Sequence, residues 1–232
     1  MTSSTDLIDS LVPLAEGTPL HAVRHQRNKV VDATQGSYNA LFDPELPGLT
    51  LAERLLVACR IAQLAGTVGL FEHYRERLVA LGALSSAQQA ALDGQEPAGD
   101  TRLAEILRFA TTLAERPVEG DQAAILRLPA AGLDTPSAIA LAQLIAFVAF
   151  QARVVAGLQA IAALGDAADT GTADAVPAAP FVHPANLPRV GEPLRINGFT
   201  SESLDWKAWL PVLALDQASP APIAVLEASH PQ

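Results

Sequence analysis

The stretch from Leu51 to Leu84 reads LAERLLVACRIAQLAGTVGLFEHYRERLVALGAL. Apolar residues recur along it three and four apart, the spacing that keeps side chains on one face of an α-helix. Thr50 with Glu53 forms a capping-box pair, so a helix is predicted to open at Leu51, and the periodic pattern runs to Leu81. Gly66 and Gly69 predict a break inside it. On an unbroken helix Leu55, Cys59, Ala62, Gly66, Leu70 and His73 would form one stripe of mostly small and apolar residues, normally a packing face.

Outward from this stretch the signals remain helical. Thr18 and Pro19 read as N-cap and first residue of a helix running to about Leu41, where Asp43-Pro44 and Pro47-Gly48 stop it. Ser85 with Gln88 caps a short helix, Asp100–Glu115 gives another and Asp121–Leu128 a further one. Asp134-Thr135-Pro136 starts a long helix ending near Gly165. Its segment Ala138–Leu164 is the most apolar of the chain, but Gln143, Gln151, Arg153 and Gln159 interrupt it, which fits a buried helix better than a membrane span.

Composition agrees with an all-α protein. The chain has 232 residues, enough for a core without disulfide or metal staples, and half of them are apolar while aromatics reach only 5%. About a fifth are alanine, which favours close-packed helices over a β-sandwich or disorder. Twenty-five acids against 15 bases give a formal charge of −10, a field that repels nucleic acid and anionic membrane surfaces. Lys29 and Lys207 are the only lysines, so no polybasic run exists. Cys59 stands alone, which rules out an internal disulfide, a CxxC redox pair and a cysteine zinc site. Met1–Ser10 is polar and acidic where a signal peptide would be basic and then apolar, so the expected compartment is cytoplasmic.

After Gly165 the composition shifts. Residues 1–165 read as the helical domain and 166–180, with three Asp and no aromatic, as a linker. Residues 181–232 hold both tryptophans, Trp206 and Trp209, and most of the proline-rich end of the chain. Proline blocks helix and ladder bonding while exposed tryptophan is costly, so an extended tail docked on the domain or on a neighbouring subunit is expected. Phe199–Leu215 is the segment expected to dock, and Asp166–Ala179 the one expected to move.

Leu51–Leu84 resembles the core of the alkylhydroperoxidase D-like (AhpD-like), or carboxymuconolactone decarboxylase (CMD), family. The likeness extends less specifically over residues 19–165, and Leu133–Leu164, with Leu141-Ala-Gln-Leu-Ile-Ala-Phe and Gln151-Ala-Arg153, resembles the family's final core helix. The tail, with Phe199-Thr and Leu204-Asp-Trp206-Lys-Ala-Trp209-Leu-Pro211, resembles that of a divergent bacterial subgroup of CMD-domain proteins. The resemblance implies an AhpD-like helical bundle and a homo-oligomer, trimer or hexamer. For the subgroup it also implies a companion alkylhydroperoxidase-domain protein.

Peroxidase members of that family carry a Glu, eleven residues, Cys-x-x-Cys, three residues and a His. A thiolate near a helix N-terminus attacks, a second thiol resolves the sulfenic acid, and the Glu/His relay moves protons. Laid on this motif, the chain has Leu55 at the Glu, Thr67 and Leu70 at the cysteines and Tyr74 at the His. All four groups are lost. The resemblance therefore implies the fold and argues against dithiol peroxidase chemistry.

Candidate chemistry is what remains. His73, Tyr74 and Glu53 lie at or beside the relay positions and are the candidate catalytic residues, although Glu53 also completes the capping box and His73 also reads as an ordinary partly buried histidine. Leu55, Cys59, Thr67, Leu70 and Arg153 are the ligand-pocket candidates. Cys59 also reads as a small core residue, and Arg153, set in an apolar helix, as a buried ion pair or interface contact. His21 and His25 are four apart, a spacing at which two imidazoles share a metal, but no third ligand is indicated and no metal or cofactor is expected. Two functions follow. In the first, the chain binds a small apolar ligand or an active paralogue without catalysing anything. In the second, it is a thiol-independent enzyme of the decarboxylase type, with His73 and Tyr74 as acid and base.

Overall fold

The computed structural model describes residues 6–12 and 14–165, and those up to Ala163 belong to one compact unit. Every regular element among the described residues is helical, so the all-α fold class holds. The linker at 166–180 and the tail at 181–232, including Phe199–Leu215, lie outside the described residues.

The chain opens with a short helix α1, Leu7–Leu11, capped by Asp6, whose carboxylate accepts from the Asp9 amide. The predicted single helix from Pro19 to Leu41 is instead three pieces: α2 (Pro19–Arg24), a 3-10 turn over His25–Arg27, and α3 (Asn28–Leu41). Arg27 departs from helical angles (φ −124°, ψ 68°). Arg24 and His25, at the break, are tied to Asp6 and Asp9 of the α1 turn at 2.6–2.8 Å, contacts that no periodicity within 19–41 encodes.

Helix α4, Leu51–Leu64, opens on the predicted capping box, with Thr50 and Glu53 satisfying each other's backbone amides. Leu55 through Cys59 are consecutively buried, so α4 is enclosed on all sides and serves as the central helix. It packs on α5 (Val68–Val79), α6 (Ser86–Leu92) and α7 (Thr101–Glu115). The break between α4 and α5 falls where predicted, at Gly66, whose φ of +68° suits a residue without a Cβ. Asp100 caps α7, and Asp121 caps α8 (Gln122–Ala130), close to its predicted span.

Helix α9, Thr135–Leu164, is long and apolar enough to cross a membrane by length and composition. Its Ser137, Ala138, Leu141, Leu144, Ile145, Val148, Gln151, Ala152 and Val155 are nevertheless buried, a seam at three- and four-residue spacing packed in the protein core. The expectation of a buried helix thus holds for one face of α9.

Two positions fasten the segment between α3 and α4. Arg54 is 1% exposed, and its guanidinium donates to the carbonyls of Leu41 (3.0 Å) and Asp43 (2.9 Å), satisfying the otherwise orphaned C-terminus of α3. Gly48 has φ +97°, and a Cβ there would stand 2.5 Å from Ser137 Oγ, so the loop is pressed against α9 at a point only glycine fits. The Gly48 carbonyl accepts from Arg102, which also pairs with Glu53 at 2.7 Å.

Candidate functional site

Helices α3 and α5 bring a polar cluster together beside the core. Tyr38 and Phe42 are one turn apart on α3, and His73 and Arg77 one turn apart on α5, so each pair shares a helix face. Where the faces meet, Tyr38 Oη lies 2.7 Å from His73 Nε2, and Arg77 Nη1 donates to Tyr38 Oη at 2.5 Å. Because guanidinium has only donors, the phenol oxygen accepts from Arg77, and in the His73 tautomer with Nε2 unprotonated the phenol proton is donated to that nitrogen. The Arg77 guanidinium also stacks 5.3 Å from the ring centroids of both Tyr38 and Phe42.

This arrangement keeps His73 neutral. Burial, then the nearby Arg77 charge, pushes its pKa down to about 4, so its lone pair is held available to Tyr38 at neutral pH. Burial also raises the Tyr38 phenol, against the opposing pull of Arg77. Tyr38 and His73 are thus within hydrogen-bond reach, but a base lowered to about 4 accepts a proton poorly at neutral pH, so the pair is suited to orienting a ligand by hydrogen bonds more than to storing its proton.

A second candidate catalytic residue, Tyr74, packs against this cluster, its ring 5.3 Å from that of His73 and 6.5 Å from that of Tyr38, but its hydroxyl is turned to another partner. Tyr74 is fully buried, its hydroxyl donating to Gln151 of α9 and its ring 5.0 Å from that of Phe42, and its pKa is raised well above the ordinary tyrosine range, chiefly by burial. Glu53 is engaged by its own capping box and by Arg102. His73, Tyr38 and Arg77 form the one cluster among these that combines a neutral base, a hydroxyl and a cation.

The ligand-pocket candidates are mostly core. Leu55, Cys59 and Leu70 are buried in the main hydrophobic cluster. Burial pushes the Cys59 thiol up to about 12, the reverse of what a reactive thiolate requires. Thr67 is buried at the N-cap of α5, its hydroxyl donating to the Ala62 carbonyl at 3.2 Å. Arg153 is not buried as its apolar surroundings suggested. It faces outward from α9, its guanidinium 3.4 Å from the Ala149 carbonyl one turn back. Among the described residues the buried arginine is Arg54.

Sequence reasoning missed Tyr38, Arg77, Arg54 and Gln151. The four-residue spacings Tyr38/Phe42 and His73/Arg77 were visible, but their meeting depends on how α3 packs against α5. It also missed Asp9, which stands with His21 and His25. No family model matches the chain, and no curated protein matches it.

Proposed function

We propose that this chain is an AhpD-like/CMD-family protein whose dithiol centre has been replaced by packed core, and that it acts by binding a ligand or a paralogue. The observation that carries the reading is the position of the motif register. Thr67 stands at the N-cap of α5 and Leu70 in its first turn, where a helix N-terminus would activate a Cys-x-x-Cys pair. Yet Leu55, Leu70 and Tyr74 are fully buried and Thr67 nearly so. Such side chains offer neither a nucleophile nor a proton relay.

Two measurements test this. Peroxide consumption with an excess of dithiol reductant should stay at the buffer rate, and a rate abolished by Cys59→Ala would overturn the binding reading. The register itself is tested by Thr67→Cys with Leu70→Cys, which should form a reversible disulfide on mild oxidation. Two thiols that stay separate in the folded double variant would mean that the register is wrong.

The second reading, a thiol-independent acid–base enzyme, is favoured by the neutral His73 hydrogen-bonded to Tyr38 beside Arg77, a cation suited to a carboxylate substrate. Its roles would be Tyr38 as the group touching substrate, His73 as the hydrogen-bond partner that orients the phenol and Arg77 as anchor. Carbon dioxide release from carboxymuconolactone, lost in both His73→Gln and Tyr38→Phe, would select this reading over the first.

A further inference from the structure

The turn between α2 and α3 carries an arrangement that the binding and acid–base readings leave unused. His21 and His25 stack with ring centroids 4.2 Å apart and planes inclined by 21°. Asp9, on α1, completes the group: one ligand atom from each of the three residues lies within 4.8 Å of the others.

Charge and hydrogen bonding both leave a place for a cation. Asp6 and Asp9 bring two carboxylates into a half-buried cluster in which Arg24 has its guanidinium on both. Asp6 Oδ2 is buried and has no hydrogen-bond partner among the described residues. His25 faces oxygen at both ring nitrogens, with Nε2 2.7 Å from Asp9 Oδ2 and Nδ1 3.2 Å from Asn28 Oδ1. A neutral imidazole has a single N–H; with Nδ1 donating to Asn28, Nε2 presents its lone pair on the Asp9 side, where a metal ion would be held.

We propose that His21, His25 and Asp9 bind one first-row divalent transition-metal ion, of the zinc class, with a fourth position open. Two imidazoles and one carboxylate suit such an ion and not calcium or magnesium, which take mostly oxygen ligands. A tetrahedral ion with bonds of about 2.1 Å needs ligand atoms roughly 3.3 Å apart, so the Asp9–His25 contact opens slightly and His21 closes in. Both imidazoles are only partly buried, which leaves their rotamers free to adjust. Arg24 on Asp9 Oδ1 and Asn28 on His25 Nδ1 are then the outer partners that orient two of the three ligands. Metal entry releases whatever proton lies between His25 and Asp9.

The experiment is a calorimetric titration of the chelator-stripped full chain with Zn²⁺ at neutral pH. One ion per chain is expected, with affinity falling at least tenfold in His21→Gln and again in His25→Gln, and unchanged in His73→Gln. An affinity that neither of the first two variants alters would overturn the site, as would no saturable binding at all. Should either variant fail to fold, Co²⁺ on the unaltered chain decides. The intense visible bands of a four-coordinate ion, displaced by Zn²⁺, support the site, and the weak spectrum of the hydrated ion refutes it.

Discussion

Cys59 shows how burial overrides intrinsic reactivity. Its sulfur sits in the main core cluster on the central helix, and its pKa is pushed up to about 12. At pH 8 a native sample should therefore fail to react with an aromatic disulfide reagent on the minutes timescale, whereas the same sample in denaturant should give one thiol per chain. Fast labelling of the native protein would show that the thiol is reachable and reopen the question of thiol chemistry. His73 makes the complementary case with a base. Its folded pKa, lowered to about 4, lies below the ordinary histidine value, so the unfolded chain takes up a proton that the folded chain refuses. This contribution to stability is fully present above about pH 6.5 and is lost as pH falls toward 4. Because the ring is only partly buried, solvent screening reduces the effect to about 1 kcal/mol. Denaturant melts of wild type and His73→Gln at pH 7 and pH 4.5 should show the variant losing less stability over that interval. Parallel losses would mean that His73 titrates normally in the fold.

At the scale of elements, the loop between α3 and α4 is where the structure is least tolerant. A Cβ on Gly48 would meet Ser137 Oγ at 2.5 Å with the backbone already at φ +97°. Gly48→Ala should cost about 2–3 kcal/mol by denaturant melting, and Arg54→Leu a similar ~2–4 kcal/mol, since it strands the buried Leu41 carbonyl and the part-buried Asp43 carbonyl. Thr50→Ala, which removes one half of a capping box, should cost only about 1 kcal/mol. A Gly48→Ala variant as stable as wild type would show that the loop stands off α9.

The same contrast explains what the sequence could reveal. The caps of Thr50, Ser85, Asp100 and Asp121 are written within three residues of the groups they satisfy, and each is found in place. Arg153 is expected as a buried ion pair or an interface contact and is exposed, while Arg54 attracts no notice in the sequence and is buried, because hydropathy along a chain reports neighbours in sequence. Arg153 lies among apolar residues but on the outward face of α9, whereas Arg54 follows Ala52-Glu53 and turns into the core. Tyr38 and His73 are 35 residues apart, and Asp9 reaches a histidine pair from another helix. Such meetings depend on helix packing, which no local pattern encodes.

At the scale of the whole molecule, α9 has two apolar faces, and one of them is buried among the described residues. Opposite its buried seam, Ala142, Ala146, Phe150, Ala156 and Ile161 are exposed, with Phe150 at 43% and Ile161 at 45%. Arg153 is the sole charged residue in the helix. Beside Phe150 a groove of about 250 Å³ runs between α9 and α3, lined by Val30, Ala33 and Phe147. Water is a poor solvent for the exposed apolar face from Ala142 to Ile161, about 30 Å long and interrupted by Arg153, and monomeric proteins rarely leave so large an apolar patch uncovered. We expect a second copy of the chain to cover it, in keeping with the oligomer that the family resemblance implies. Light scattering at micromolar concentration should then give a multiple of 24.2 kDa. Phe150→Asp, which sets a charge in the middle of the strip, should return the mass to that of one chain while leaving the helical circular dichroism intact, because the substituted side chain faces away from the core. A wild-type mass of one chain would overturn this assembly. An oligomer that Phe150→Asp leaves unchanged would move the interface to another surface of the molecule.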